Sequence, residues 1–314
     1  MFHELGLCKK TENYMQQDVV IIGGSFAGIS AAMQLVRAQR KVTVVDGGKP
    51  RNRFAEHSHG FFGLDGHSPK AIKQKTWQQL LAYNTVNIVE AEVTGVVKVN
   101  DGFTVKINNQ SELSCKKLII ATGLKDVLPD IKGIKSRWGK TVVHCPYCHG
   151  YELRNRELGV IATSQMSLHQ AGMIPDWGVT TYFSQGEYLP DAEQKIFLQQ
   201  RGVIFEDTPI VEILGDGVDV SSVKLADGRL IKIGGLYVGP KTFMASPIPE
   251  TLGCDFTEGP LGAVVITDDF KQTTIAGVFA AGDIANPMQN ATFASASGVM
   301  AGVGVHHQLI QELR

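Results

Sequence analysis

The strongest constraint on the fold lies between residues 18 and 46. Asp18-Val-Val-Ile-Ile22 is an apolar run that stops at Gly23. A short run without polar alternation fits a strand buried on both faces. Residues 25–39 follow with helical period and good helix formers, and 41–45 form a second apolar run closed by Asp46. So short a strand–helix–strand unit predicts two parallel strands with a right-handed crossover. Between the first strand and the helix stands Gly23-Gly24-Ser25-Phe26-Ala27-Gly28. In a dinucleotide-binding loop the first glycine makes the tight turn and the last lets helix and strand pack closely. The helix N-terminus then offers free N–H groups and a positive dipole end to a pyrophosphate. Ser25 takes the middle glycine position, where a small side chain still admits a phosphate. Asp46 stands where a carboxylate accepts hydrogen bonds from a ribose. The alternative is an ordinary crossover with a glycine turn, and the complete context argues against it.

Composition bounds the rest. A chain of 314 residues is long enough for two domains of roughly 100–200 residues each. A hydrophobic content of 43% excludes a disordered chain, and a net charge of −1 gives no bulk electrostatic case for nucleic acid or a membrane surface. Residues 1–17 are polar, read as a loose leader and contain no apolar signal core, which predicts a cytoplasmic protein. Glycine is in surplus: 34 are present, where average usage gives about 22. Such a surplus points to backbone held close to a ligand or to turns with positive φ.

Along the chain, a helix is expected over 69–83 and a strand over 86–91. A hairpin is expected over 92–99 and 103–107 around Asn100-Asp101-Gly102, and a buried strand over 118–121 ending in Thr122-Gly123. The alternation then restarts. Strands are expected at 158–162, 179–183 and 203–205, helices at 164–174 and 191–201, and short β segments follow to 238. A third block holds a strand over 277–281, Gly282-Asp283 at its end, and a helix over 288–312. The second unit repeats the domain type of the first without a tandem repeat.

Cys145-Pro-Tyr-Cys148 carries the chemistry. Two cysteines at this spacing mark a redox dithiol or half of a zinc site. Cys8, Cys115 and Cys254 are isolated, and His144 and His149 have the wrong spacing for a finger, so no metal is expected. In a redox pair one thiolate attacks a partner disulfide and its neighbour resolves the mixed disulfide. His149 is placed to shuttle the proton. The three lone cysteines are expected to be inert. In the second unit the glycine positions of a nucleotide loop fall on Ala162, Ser164 and Ser167, and Thr181-Tyr-Phe-Ser-Gln-Gly-Glu187 holds no arginine for a 2′-phosphate. This unit either binds a nucleotide through its backbone or is structural. The segment from His57 to Gly66 either covers a planar ring or packs as a surface loop. His306 and His307 are adjacent, point apart and are expected on the surface.

Together these residues resemble the low-molecular-weight thioredoxin reductase family of flavin disulfide oxidoreductases. The marks are residues 23–28 with Asp46, Ala121-Thr122-Gly123, Cys145-Pro-Tyr-Cys148, and residues 277–283 before the last helix. The resemblance implies an α/β fold of two Rossmann-like three-layer domains. A discontinuous FAD domain would span 1–127 and 239–314, with a pyridine-nucleotide-like domain inserted at 128–238. It implies that Gly23, Gly24, Ser25, Phe26, Ala27 and Gly28 hold the FAD pyrophosphate. Asp46 would lie near the adenosine ribose, Asp283 with Gly282 near the ribityl chain, and Ala121, Thr122 and Gly123 beside the cofactor. Cys148 would face the flavin and Cys145 the external substrate. His149 stands where the family usually has an acid, and Cys-Pro-Tyr-Cys-His resembles a subgroup that includes oxygen-dependent oxidases of small-molecule dithiols, of gliotoxin-oxidase type. The resemblance leaves the use of NADPH or NADH open, with ferredoxin or oxygen as other electron partners. It implies a homodimer and a dithiol or disulfide substrate, on a thioredoxin-like protein or a small molecule. A flavin-bound redox sensor without turnover is the alternative of another class.

Overall fold

The computed structural model describes residues 16–108 and 111–313. Cys8 and all but the end of the expected leader lie outside the described residues. The first block runs β1 (Gln17–Ile22), α1 (Phe26–Arg37), β2 (Val42–Asp46), α2 (Pro69–Leu81), β3 (Val86–Glu90), β4 (Val93–Val99), β5 (Gly102–Ile107), β6 (Glu112–Ile120) and β7 (Leu124–Val127). The second runs α3 (Ile134–Arg137), β8 (Val142–Val143), α4 (Pro146–Leu153), β9 (Glu157–Ile161), α5 (Met166–Met173), β10 (Val179–Phe183), α6 (Ala192–Gln200) and β11 (Ile204–Glu206). It continues through β12 (Ile210–Leu214), β13 (Ser222–Leu225), β14 (Leu230–Lys232) and β15 (Gly235–Val238). The third holds β16 (Lys241–Met244), α7 (Ile248–Thr251), β17 (Phe256–Gly259), β18 (Gly262–Val265), β19 (Val278–Ala280) and α8 (Ala291–Gln311).

Two sheets organise these elements. The first has the order β3-β2-β1-β6-β5-β4, with β19 also paired to β6. Its centre is parallel, with β1 between β2 and β6. Val278 to Ala280 lie beside Leu118 to Ile120, so the last block completes the sheet begun by the first. The second sheet, β11-β10-β9-β15-β8, is parallel throughout.

The cores follow the same division. Val19 and Ile21 join the helix-covered face with Ala31, Leu35, Ala301 and Val305. Val20 and Ile22 point the other way, toward Val105, Leu113 and Ile248. β1 is therefore buried on both faces, as its unbroken apolar run requires, and each such side chain contributes ~1.5–3 kcal/mol by leaving water. The two apolar groups around the second sheet draw only on residues between 128 and 238.

Three elements differ from the sequence expectation. The strand expected at 118–121 begins at Glu112, because its first half pairs antiparallel with β5 while its second half pairs parallel with β1. Cys115 thus sits inside β6. β7 and β16 form an antiparallel ribbon where the chain leaves the first block and returns. Cys145-Pro-Tyr-Cys148 opens a helix, α4, for which the sequence carries no expectation. No described helix is long and apolar enough to cross a membrane.

Two glycines of the last helix serve helix contact. A Cβ on Gly298 of α8 would lie 2.1 Å from the Ala27 carbonyl oxygen of α1, and one on Gly302 would lie 2.8 Å from that of Ala31. Only glycine lets the two backbones approach so closely.

A candidate redox site beside a nucleotide cradle

The glycine loop has the geometry its spacing predicts. Gly23 has φ +106°, and a Cβ there would stand 2.2 Å from the Ala121 carbonyl oxygen. A Cβ on Gly28 would stand 1.8 Å from the carbonyl oxygen of Gly23. Ser25 is the N-cap of α1, and its side chain makes no capping bond. Asp46 lies beside the loop, accepting at Oδ1 from the Gly24 N–H at 3.0 Å. Its Oδ2 pairs with Lys73 at 2.5 Å, and Trp77 Nε1 donates to the Gly24 carbonyl at 3.1 Å. Asp46 thus lies beside the loop with both oxygens already held by protein partners. A cavity of about 570 Å³ adjoins Asp46, Lys73, Trp77 and Glu92.

A second cavity, of about 280 Å³, joins the remaining predicted residues. Ser25, Phe26, Ala27, Ala121, Thr122 and Gly123 line one part of it, and Gly282 and Asp283 another. Cys145, Cys148 and His149 line the same space. The loop after β2 contributes His57, His59 and Phe61. Phe61 meets Phe26 edge to face at 5.5 Å. This loop is therefore part of the cavity wall.

Sequence reasoning missed Arg51. Its Nε and Nη2 donate to Asp126 at 2.5–3.1 Å, and its Nη1 donates to Asp283 at 3.0 Å and to Gln289 at 2.5 Å. Burial lowers the Arg51 pKa, but the two carboxylates more than reverse this. Burial pushes Asp283 above the usual aspartate range against the opposing pull of Arg51. The only sequence signal was an arginine three residues after Gly47-Gly48. Its partners come from distant parts of the chain.

The redox helix starts where Pro146 takes the first helical position, with its φ preset and no N–H to satisfy. Gly150 admits Trp177 beneath the helix, where a Cβ would come within 2.7 Å of the indole, and Tyr147 meets the same ring edge to face at 5.9 Å. Cys145 is the N-cap. The Cys148 thiol lowers its pKa most; burial opposes, and the N–H groups of Cys148 and Tyr147 assist. Cys148 is pushed far up by that same interaction and by burial. The two shifts run in opposite directions, with Cys145 the more readily ionised thiol. His149 is pushed down by burial, against the Cys145 backbone and Glu152. Both its ring nitrogens are shut off from solvent and have no hydrogen-bond partner among the described residues. His144 is held by Val238, its Nδ1 lying 3.2 Å from the carbonyl oxygen.

The second loop satisfies itself. Ser167 Oγ accepts from the Thr163 N–H at 3.1 Å, the Ser167 N–H donates to the Ser164 carbonyl at 3.0 Å, and Thr163 Oγ1 donates to the Gly239 carbonyl. Ala162 is buried beside them. At the end of β10, Ser184 Oγ donates to Asp207 at 3.0 Å. Away from both cavities, Cys115 and Cys254 are buried thiols with raised pKa values. His306 and His307 diverge, one toward Arg40 and the other toward Phe270.

Comparison with known proteins places this geometry. Residues 17–298 match the family described as pyridine nucleotide-disulphide oxidoreductase. The thioredoxin reductase sirT of Leptosphaeria maculans is 32% identical, with 93% of this chain and 94% of that protein covered. The thioredoxin reductase tcpT of Claviceps purpurea is 31% identical over 94% of this chain and 95% of its own. Among solved structures, an oxidoreductase from Agrobacterium tumefaciens superposes with a TM-score of 0.90 at 46% identity, covering 94% of this chain and 99% of that one. Alike in sequence and in fold along nearly its whole length, the chain belongs to the pyridine nucleotide-disulphide oxidoreductase family and is a thioredoxin reductase-like flavin disulfide oxidoreductase that uses FAD.

Proposed function

We propose that the exchanging groups of this oxidoreductase are Cys145 and Cys148, acting on a disulfide or dithiol of a thioredoxin-like protein or a small molecule. One observation carries the reading: the cysteine pair lines the same cavity as the glycine-loop helix and both strand ends. The residues present fit FAD. Side chains are barred at Gly23 and Gly28, and Thr122 Oγ1 is buried with no hydrogen-bond partner among the described residues, as a cofactor contact would leave it. Residues 23–28 would hold the pyrophosphate, Asp46 would lie near the adenosine ribose, and Ala121–Gly123 with Gly282 and Asp283 would flank the rest. Bound FAD supplies a two-electron acceptor and donor.

The chain's own chemistry is thiol exchange. The Cys145 thiolate attacks the substrate disulfide. The substrate's S–S bond breaks and one thiolate leaves; Cys148 then gives its proton to His149 and attacks Sγ of Cys145, and the second substrate thiolate leaves as the Cys145–Cys148 bond forms; the reverse sequence oxidises a substrate dithiol. We assign 1–127 and 239–314 to the FAD domain and 128–238 to the insertion, expect a homodimer by resemblance, and expect a cytoplasmic location from the polar first seventeen residues.

A second reading, an oxidase of a small dithiol that passes electrons to oxygen, is favoured by the self-satisfied loop at 163–167 and by Asp207 where a 2′-phosphate would need a cation. Anaerobic mixing with NADPH, NADH or a dithiol, followed by flavin absorbance, separates the readings. Rapid bleaching by either nicotinamide removes the oxidase argument, and bleaching by the dithiol alone supports it. A Cys145→Ser protein that keeps full turnover removes both.

A further inference from the structure

We infer that His59 and Glu152 form the proton exit of the redox site, carrying to solvent the proton that His149 takes. The inference rests on the proposed role of His149. A proton arriving there is cut off from bulk solvent, because both ring nitrogens are buried. Glu152 stands one turn further along α4, on the same face. Its Oε1 lies 3.6 Å from Nε2 of His59, whose Nδ1 lies 3.5 Å from Oδ1 of Asp65. These separations exceed hydrogen bonds, and contacts of this kind tighten in the working complex.

His59 lies between two carboxylates that are both more exposed than it is. The side chain of His59 is 25% exposed, that of Glu152 44% and that of Asp65 68%. His59 also lines the cavity of the cysteine pair, so it reaches both the site and the surface. The titratable groups around His149 are Cys145, Cys148 and Glu152 of its own helix, His144 just before it, and His59 from the facing loop. Around His59 they are Glu152, Asp65 and the His57 ring, 6.3 Å away. Burial pushes His149 down, which favours release of the proton to these more exposed neighbours.

The step can be watched with dithiodipyridine. Cys145 Sγ attacks one sulfur of the probe, the probe's S–S bond breaks and a first thiolate leaves. Cys148 loses its proton to His149 and attacks Sγ of Cys145, and a second thiolate leaves as the Cys145–Cys148 bond forms. The pair is oxidised, the probe is reduced, and one proton must reach solvent. Reduced holoprotein is mixed with the probe anaerobically and both thiolate releases are timed. His59→Gln is expected to leave the first release unchanged and slow the second about tenfold or more at neutral pH, with Glu152→Gln slowing it as well. Added imidazole should restore the rate of His59→Gln. If His149→Gln slows the second release but His59→Gln does not, the exit is refuted while the role of His149 stands. A slow His59→Gln protein that imidazole does not rescue refutes the exit too. If His149→Gln is also as fast as wild type, both readings fall.

Discussion

Arg51→Gln tests the polar centre of the site most directly. The arginine joins Asp126 on β7, Asp283 after β19 and Gln289 before α8. The Arg51, Asp126 and Asp283 side chains are 20%, 10% and 20% exposed, so water screens them little. Removing the cation strands two carboxylates in a poorly solvated place, which costs about 3–5 kcal/mol. At about 2 °C per kcal/mol in a chain of this size, the melting temperature of the holoprotein should fall by about 6–10 °C. Two further measurements give the argument its sign. Arg51→Gln combined with Asp126→Asn should cost less than the sum of the single changes, because one stranded charge is gone. The penalty should also shrink at acid pH. Burial already holds Asp283 above the usual range, and without Arg51 it loses its main opposing pull. An acid whose folded pKa is raised binds its proton better in the folded state, so stability falls as pH rises from the ordinary aspartate value through the raised one. A loss of stability that is independent of pH and additive with Asp126→Asn would refute this account.

Other outcomes follow from the same geometry. Gly28→Ala forces α1 away from the Gly23 carbonyl; it should cost about 1–3 kcal/mol and lower the flavin-to-protein ratio of the purified protein, and a fully loaded, equally stable variant would contradict the cradle. Gly298→Ala should separate α1 from α8 at a similar cost, read by thermal melting; an unchanged melt would show that the helices are not locked by backbone contact. In the reduced protein, iodoacetamide should label Cys145 first, and its rate should persist to lower pH than for an ordinary cysteine. Cys115, pushed up to about 12 by burial, should stay unlabelled until the protein unfolds. Mass mapping that finds Cys148 labelled before Cys145 would reverse their proposed roles.

Local rules made much of this protein legible. The run 18–22, the loop at 23–28 and Asp46 belong to one stretch of chain, and their spacing alone implies a parallel crossover with a helix N-terminus at the turn. Cys145 and Cys148 are likewise neighbours, so their pairing needed no fold to suggest it. Helix α4 was hidden because a short helix with Pro146 at its start and Gly150 in its middle carries little periodicity, and it depends on Trp177 packing beneath it.

Contacts between distant segments belong to the tertiary structure. Arg51 finds its carboxylates at Asp126 and Asp283 only because β7 and β19 end beside the loop after β2. The placement of His59 against Glu152 depends on the same convergence. The glycine surplus, which composition attributes to ligands and turns, goes largely to positive-φ turns, with a few positions at the glycine loop and at the α1–α8 contact. Sequence by itself determined which residues can make a turn, cap a helix or exchange a disulfide, because those properties are covalent and local. The tertiary structure decided which charges share a cavity and which histidine is cut off from water, because burial and pairing arise only when separate segments pack against one another.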